Sequence, residues 1–158
     1  MEIESAFHGI LVAKFLSKDL ETWIDIAAPP ERVWAVLIDF PAWQRWNAFI
    51  PSVEGALCEG KTVRIKVVPP GLKPMLFQPE IYTVRPLREI RWGGSFLWFV
   101  YRGDHSFLLE PLPGGNTRFR QIERFRGPLV LLMGGMMKST EAGYHEMNQA
   151  LKQEAESR

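Results

Sequence analysis

Residues 102–126 read RGDHSFLLEPLPGGNTRFRQIERFR, in which two alternating runs flank a Pro-Gly-Gly-Asn segment. Turns favour proline, glycine and asparagine, and alternation of apolar with polar residues is typical of a strand with one buried face. The stretch therefore predicts a β-hairpin. Since successive side chains point to opposite faces of a strand, we expect the apolar-rich inner face to carry His105, Phe107, Leu109, Phe119, Gln121, Glu123 and Phe125.

The length of the connection sets the pairing of this hairpin. A five-residue loop from Leu112 to Asn116 predicts that Leu109 pairs with Phe119, Phe107 with Gln121, and His105 with Glu123. The opposite face of the second strand carries four arginines, at positions 118, 120, 124 and 126. We interpret them as a solvated stripe, since acidic residues such as Asp104 and Glu110 on the neighbouring strand are able to neutralise it.

The segments on either side of the hairpin predict an α+β fold. A strand pattern begins at Glu21, two short helices follow from Pro30, and four further short strand patterns lie between residues 52 and 94. On the other side, Pro128 is expected to open a long helix, which Gly134 and Gly135 kink or interrupt. The antiparallel strands need a cover for their apolar face, and this helix is the available one. A strongly curved sheet around a single helix leaves a space between them.

Composition narrows the class of protein. The 158 residues are 46% hydrophobic and 23% charged with a formal charge of +1, so we expect a single globular domain and no binding of nucleic acid. Cys58 is the single cysteine, and the first residues lack the pattern of a signal peptide. A cytoplasmic location is therefore expected. We divide the chain into an N-terminal extension, residues 1–19, and one domain, residues 20–158.

Several segments together resemble a known superfamily. They are APPERVWAVLIDFPAWQRWNAFIPSVEG (28–55), EIRWGG (89–94), DHSFLLEPLPGGNTRFRQIERFRG (104–127) and EMNQAL (146–151). From about Leu20 to Lys152 the chain resembles a bacterial subgroup of the SRPBCC superfamily, which is START-like, birch-allergen-like and polyketide cyclase-like. Ala48 departs from the usual Trp-Asn-Pro-Phe-Ile pattern, which affects only a local turn.

The resemblance implies a helix-grip fold, in which a seven-stranded antiparallel sheet wraps around the C-terminal helix and encloses a mainly apolar cavity. Members bind lipids, sterols or aromatic metabolites, and some cyclise or dehydrate polyketides. A shared fold does not by itself select one of these functions. We expect a small hydrophobic ligand, no cofactor, no integral membrane association, and a monomer or homodimer.

Aromatic and methionine side chains are expected to line the cavity, because rings and flexible thioethers make adaptable apolar surfaces. The candidate ligand-binding residues are Trp34, Trp46, Phe49, Trp92, His105, Phe107, Gln121, Glu123, Phe125, Met133, Met136, Met137 and Tyr144. Of these, His105, Gln121 and Glu123 are expected to hold the polar end of a ligand. For any one aromatic residue, ordinary core packing is the alternative interpretation.

His105 and Glu123 leave three interpretations open. They form a structural pair, or anchor a ligand, or act as the proton-transferring pair of a polyketide cyclase or dehydratase, since imidazole exchanges protons near neutral pH. A protein-binding adaptor that uses residues 96–99 is a further alternative. Glu141 and His145 lie four residues apart on the predicted helix, but no third ligand is spaced nearby, so no metal site is expected.

Overall fold

The computed structural model describes residues 16–97 and 100–157. Eight strands and three α-helices follow one another in these residues: β1 (Ser17–Ile26), α1 (Pro30–Ile38), α2 (Trp43–Trp46), β2 (Ser52–Glu54), β3 (Arg64–Val67), β4 (Met75–Phe77), β5 (Glu80–Arg85), β6 (Glu89–Phe96), β7 (Tyr101–Leu112), β8 (Asn116–Arg126) and α3 (Gly134–Glu156). Short 3-10 turns cover Phe40–Ala42, Pro113–Gly115 and Pro128–Leu132. Most of the predicted N-terminal extension, and residues 98–99 of the predicted adaptor surface, lie outside the described residues.

The strands form two antiparallel sheets, so the prediction of one seven-stranded sheet is wrong in this detail. One sheet has the order β1-β8-β7-β6-β5 and the other the order β2-β3-β4. The missed strand is β4, whose three residues lie between Pro74 and Pro79 and show no alternation. Backbone hydrogen bonds join β5 to the segment between β2 and β3, from Gly60 N to Ile81 O at 2.8 Å and from Ile81 N to Lys61 O at 2.9 Å.

The predicted register of the β7–β8 hairpin is confirmed. Leu109 lies opposite Phe119, Phe107 opposite Gln121, and His105 opposite Glu123. The hairpin closes where Leu112 pairs with Asn116, and Gly114 and Gly115 take φ values of 79° and 75° in the turn between them. Only glycine adopts such angles without steric cost, so the Gly-Gly pair fixes the loop length and with it the register.

β1 begins at Ser17, four residues earlier than the strand predicted from Glu21. Its first residues are charged and give no apolar alternation, but their backbone pairs with the end of β8. Salt bridges join the strands on the outer face at 2.6–2.7 Å: Asp19 with Arg126, Glu21 with Arg120, and Asp25 with Arg118. Glu110 also binds Arg120, as expected, whereas Asp104 pairs with Arg102 on its own strand.

The sequence predicted that the long helix begins at Pro128, but it begins at Gly134. Pro128–Leu132 forms a 3-10 turn instead, Met133 separates this turn from the helix, and Gly134 and Gly135 are the first two residues of the helix. The second half of α3 is bonded to β1 and its end: Asn148 Nδ2 donates to Thr22 Oγ1 at 3.2 Å, Lys152 Nζ to the Asp25 carbonyl at 2.7 Å, and the Ala27 amide to Glu156 Oε1 at 2.7 Å.

The main core lies between this half of α3, the five-stranded sheet and α1. Pro30 occupies the first turn of α1, where its missing N–H removes no hydrogen bond, and Val33, Val36 and Leu37 point inward. Met147, Leu151 and Ala155 of α3 meet them with no exposed surface. This end of the space between α3 and the sheet is therefore filled.

Candidate functional site

A cavity of about 640 Å³ lies between the two sheets and the first half of α3. β3 and β4 line one wall, β6, β7 and β8 line the opposite wall, and Met133, Met136, Thr140 and Tyr144 close the third side. Its lining is mainly apolar, and its size falls within the range of roughly 300–1,000 Å³ that is usual for small-molecule sites.

The structure places eight of the predicted ligand-binding residues on this cavity. They are Phe49, Trp92, His105, Glu123, Phe125, Met133, Met136 and Tyr144. Five others do not line it: Trp34, Trp46, Phe107, Gln121 and Met137. The predicted set is therefore brought together only in part.

The five residues outside the lining have other contacts. Phe107 stacks on Phe119 with a ring separation of 6.2 Å, and both belong to the main core, as do Trp34 and the partly buried Trp46. Gln121 Nε2 donates to Asn148 Oδ1 at 2.7 Å and to the Tyr144 carbonyl at 3.2 Å, so this side chain joins β8 to α3 instead of facing a ligand. Met137 packs in the smaller cluster around Phe125.

A larger group of lining residues lies outside the predicted ligand-binding set. Those on the second sheet and the segments next to it are Ile50, Ile65, Val67, Met75, Leu76, Phe77, Gln78 and Pro79. Those on the five-stranded sheet and near α3 are Gly93, Gly94, Ser95, Phe96, Tyr101, Gly103, Leu129 and Thr140. Alternation along β7 was a usable signal for two of them, because Tyr101 and Gly103 share a face with His105.

A buried cluster of His105, Glu123 and Tyr144 forms the polar part of the wall. His105 Nδ1 lies 2.7 Å from Glu123 Oε2, and the Tyr144 hydroxyl donates to the same oxygen at 2.9 Å. The hydroxyl oxygen is also 3.0 Å from His105 Nδ1. β7, β8 and α3 each supply one member, so the cluster depends on the hairpin register and on the docking of the helix. His105 Nε2 is buried and has no hydrogen-bond partner among the described residues.

The second carboxylate oxygen of Glu123 differs from the first. Oε1 makes no hydrogen bond within the described part of the chain, and it lies beside Gly103, where an added Cβ would come within 2.9 Å of it. The Tyr101 hydroxyl is 2.8 Å from the same Cβ position. Gly94 pairs with Gly103 across β6 and β7. Gly94, where an added Cβ meets no atom within 4 Å, leaves a recess in the wall, whereas the Tyr101 hydroxyl and Glu123 Oε1 fill the space over Gly103.

Burial acts strongly on the two tyrosines of the site. It raises the pKa of Tyr144 well above the ordinary value of 10.0, and the adjacent Glu123 carboxylate raises it further. Burial also raises the pKa of the Tyr101 hydroxyl, with a second contribution from Glu123. Both hydroxyls keep their protons at neutral pH, and the Tyr144 hydroxyl remains the donor to Glu123 Oε2.

The described residues contain neither a cluster of metal ligands nor a membrane-spanning helix. No group of three or more His, Cys, Asp or Glu side chains within residues 16–97 and 100–157 is arranged to hold a metal ion. Within the same ranges, every helix is too short or too polar to cross a bilayer.

Comparison with known proteins adds the family. A sequence profile of the family described as polyketide cyclase / dehydrase and lipid transport matches residues 17–156. The chain belongs to this family. No curated protein has a significantly similar sequence. The resemblance inferred from the sequence is thus confirmed, and membership in this polyketide cyclase and lipid-transport family supports a ligand-binding or cyclase role for the cavity.

Solved structures share the fold at low sequence identity. The Zhui aromatase/cyclase from Streptomyces sp. R1128 superposes with a TM-score of 0.70 at 18% identity, covering 90% of this chain and 95% of that one. A START superfamily protein from Mycobacterium smegmatis gives 0.65 at 19% identity, with coverages of 88% and 97%. Truncated norcoclaurine synthase from Thalictrum flavum gives 0.66 at 14% identity, with coverages of 87% and 92%. At these identities the likeness establishes the fold alone.

Proposed function

We propose that this protein binds a small hydrophobic molecule, a lipid or a polycyclic or aromatic metabolite, that carries a hydrogen-bond donor such as a hydroxyl group. The apolar body of the ligand packs between β3–β4 and the first half of α3. Its donor group enters the recess at Gly94 and binds Glu123 Oε1. The observation that carries the proposal is Glu123 Oε1, a carboxylate oxygen that has no hydrogen-bond partner among the described residues and lies in the wall of a mainly apolar cavity.

The energetics favour a ligand with this polarity. An apolar molecule gains about 25 cal/mol for each Å² of its surface that leaves water. A polar group that enters a buried site without a partner costs about 1–3 kcal/mol. A ligand that donates one hydrogen bond to Glu123 Oε1 gains the free energy of apolar burial without the cost of an unpaired polar group. The raised pKa of Tyr144 leaves its hydroxyl as a donor to Oε2, which keeps the carboxylate oriented toward the recess.

Native mass spectrometry of freshly purified protein, followed by organic extraction, tests the proposal. We expect an added mass on the wild-type chain, and an extract that contains a lipid or aromatic compound with a hydroxyl or amine group. Gly94→Leu is the matched variant, because a Cβ at this position meets no atom within 4 Å and the side chain projects into the cavity. Loss of the added mass in this variant supports binding in the cavity. The same mass on both proteins contradicts it.

A second candidate function is a cyclase or dehydratase that uses His105 and Glu123 for proton transfer. The observation that favours it is the arrangement of the imidazole, which has a carboxylate on Nδ1 and an unpartnered Nε2. A base held by a third group in this way is typical of general acid–base catalysis. His105 would take the acidic proton next to a ligand carbonyl and return it to a leaving hydroxyl.

His105→Ala separates the two candidates. If the protein is a carrier, the variant retains the extracted ligand with weaker binding, because Glu123 Oε1 still accepts the donor group. If it is an enzyme, the variant binds the extracted compound but no longer converts it, as followed by mass spectrometry of the incubation mixture. Conversion at the wild-type rate would exclude a catalytic role for His105.

A further inference from the structure

We propose that the mouth of the cavity is a docking surface for the headgroup and upper acyl region of a lipid bilayer that contains anionic lipids. This surface is separate from ligand binding in the cavity: vesicle binding tests the surface, and the mass of an extracted ligand tests the cavity. The proposal rests on three segments of described residues, 68–78, 94–97 with 100–101, and 127–140, which we call the rim. Each of them contributes residues to the lining of the cavity.

Exposed apolar side chains are concentrated on the rim. Of the nine large hydrophobic residues that are exposed in the described part of the chain, seven belong to it: Leu72, Leu76, Phe77, Phe96, Leu97, Leu131 and Leu132. The most exposed are Leu132, at 83%, and Leu76, at 72%. Isolated exposed leucines are normal on protein surfaces, whereas a group around one opening marks an interaction site.

The three segments are neighbours in space. The Leu129 amide donates to the Val100 carbonyl at 3.2 Å, which joins the segment before α3 to the segment after β6. The Ser139 hydroxyl of α3 donates to the Pro70 carbonyl, which joins α3 to the segment before β4. The three segments therefore border one cavity, and Leu76, Phe77 and Phe96 themselves line it.

The charge of the rim distinguishes a bilayer from other occupants. Its three segments contain two charged residues, Lys73 and Lys138, and no Asp or Glu, although 23% of the chain is charged. Both lysines are exposed. Apolar side chains flanked by lysines and free of acids match a surface of acyl chains beneath anionic headgroups, which attract basic residues and repel acidic ones. A bilayer also accepts an apolar ligand directly from the cavity without passage through water.

Co-sedimentation with vesicles tests this surface. The probes are vesicles of phosphatidylcholine with phosphatidylglycerol and vesicles of phosphatidylcholine alone. We expect the wild-type protein to bind the anionic vesicles more tightly, and the double variant Leu97→Ser, Leu132→Ser to bind them about tenfold or more weakly, because it loses two exposed apolar side chains. Lys73→Glu with Lys138→Glu is expected to remove the preference for anionic vesicles.

Trp23→Ser is the matched control. Trp23 is 55% exposed on β1, away from the cavity, and its ring lies under the Arg118 guanidinium. Because this variant removes a larger apolar side chain than either leucine, equal losses of vesicle binding in the control and in the rim variant would indicate unspecific adhesion and overturn the proposal. Absence of wild-type binding would overturn it too, as would a wild-type dimer that the rim variant dissociates in size-exclusion chromatography. The mass of the extracted ligand reports separately on the cavity.

Discussion

His105 Nδ1 lies 2.7 Å from Glu123 Oε2 across the β7–β8 pair, and the Tyr144 hydroxyl of α3 donates to that same oxygen at 2.9 Å. One carboxylate oxygen is therefore occupied from two sides, while the other lies beside Gly103 and makes no hydrogen bond within the described residues. Under the proposed function, the first oxygen holds the wall together and the second binds the ligand. These two functions are separable by substitution.

Glu123→Gln is expected to change ligand selectivity more than it changes the fold. Glutamine keeps the shape of the side chain but removes the negative charge, and hydrogen bonds to charged groups contribute about 1.5–3 kcal/mol. We expect binding of 2-naphthol, which has a donor hydroxyl, to weaken about tenfold or more. Binding of 2-methoxynaphthalene, which lacks the donor, should change little. Titration calorimetry with both compounds measures the difference.

Glu110→Gln is the control for this pair of compounds. Glu110 is on the same strand as His105 but on the outer face, where it binds Arg120. Its substitution should leave both affinities unchanged. If 2-naphthol and 2-methoxynaphthalene lose affinity equally in Glu123→Gln, then Glu123 Oε1 does not receive the donor group.

Gly94→Leu is expected to exclude ligands without unfolding the protein. The conformation of Gly94 is accessible to other residues, and a Cβ there has open space around it. The leucine side chain therefore occupies part of the cavity, and a fluorescent cavity probe such as 8-anilinonaphthalene-1-sulfonate should bind more weakly. Gly135→Leu, at an exposed position on α3 that does not line the cavity, is the control. If Gly94→Leu lowers the melting temperature and Gly135→Leu does not, then the cavity has no room for a side chain at position 94.

Gly143→Ala is expected to destabilise the protein, although alanine is a better helix former than glycine. A Cβ on Gly143 would overlap the ring of Phe49, which packs directly against the α3 backbone. Overpacking of this kind costs about 1–3 kcal/mol. The free energy of unfolding in urea measures it. Gly135→Ala, with no atom within 4 Å of the added Cβ, should instead be neutral or stabilising by up to about 1 kcal/mol.

Alkaline pH is expected to destabilise the fold through the buried tyrosines. In the unfolded chain Tyr144 loses its proton near its ordinary pKa of 10.0, whereas burial holds the folded-state pKa well above this value. The folded state therefore binds more protons above pH 10, and stability falls as pH rises further. Tyr101 acts in the same direction. Urea unfolding at neutral and strongly alkaline pH should show a smaller loss for Tyr144→Phe than for the wild type. An equal loss would contradict the assignment.

The sequence predicted the hairpin well because local chemistry determines it. The Gly114–Gly115 turn fixes the loop, the loop fixes the register, and the register places His105 opposite Glu123. The alternation that put Gln121 on the same face was also correct. Alternation does not show where α3 packs along β8. This position decides that Gln121 binds Asn148 of α3, whereas Glu123 faces the cavity.

The second sheet was the main part that the sequence analysis did not identify as cavity wall. β4 is short and lies between prolines, so neither alternation nor length distinguishes it from a loop. Its contribution depends on pairing with β3, where Ile65 lies opposite Phe77. Such a contact between segments far from the hairpin has no local signal. Gly94 and Gly103 were missed for a related reason, since an absent side chain contributes nothing to a hydrophobic pattern.

α3 is attached to the sheets unequally along its length, and this bears on how a ligand enters the cavity. Hydrogen bonds join the second half of the helix to β1 and the residue after it, through Asn148, Lys152 and Glu156. In the first half, the Ser139 hydroxyl contacts the Pro70 carbonyl in the segment before β4. Regions with few buried contacts open at a lower free energy than the whole molecule. We expect the first turns of α3, before Tyr144, to open locally while the rest of the fold stays intact, and their amide hydrogens to exchange with solvent before those of the last turns.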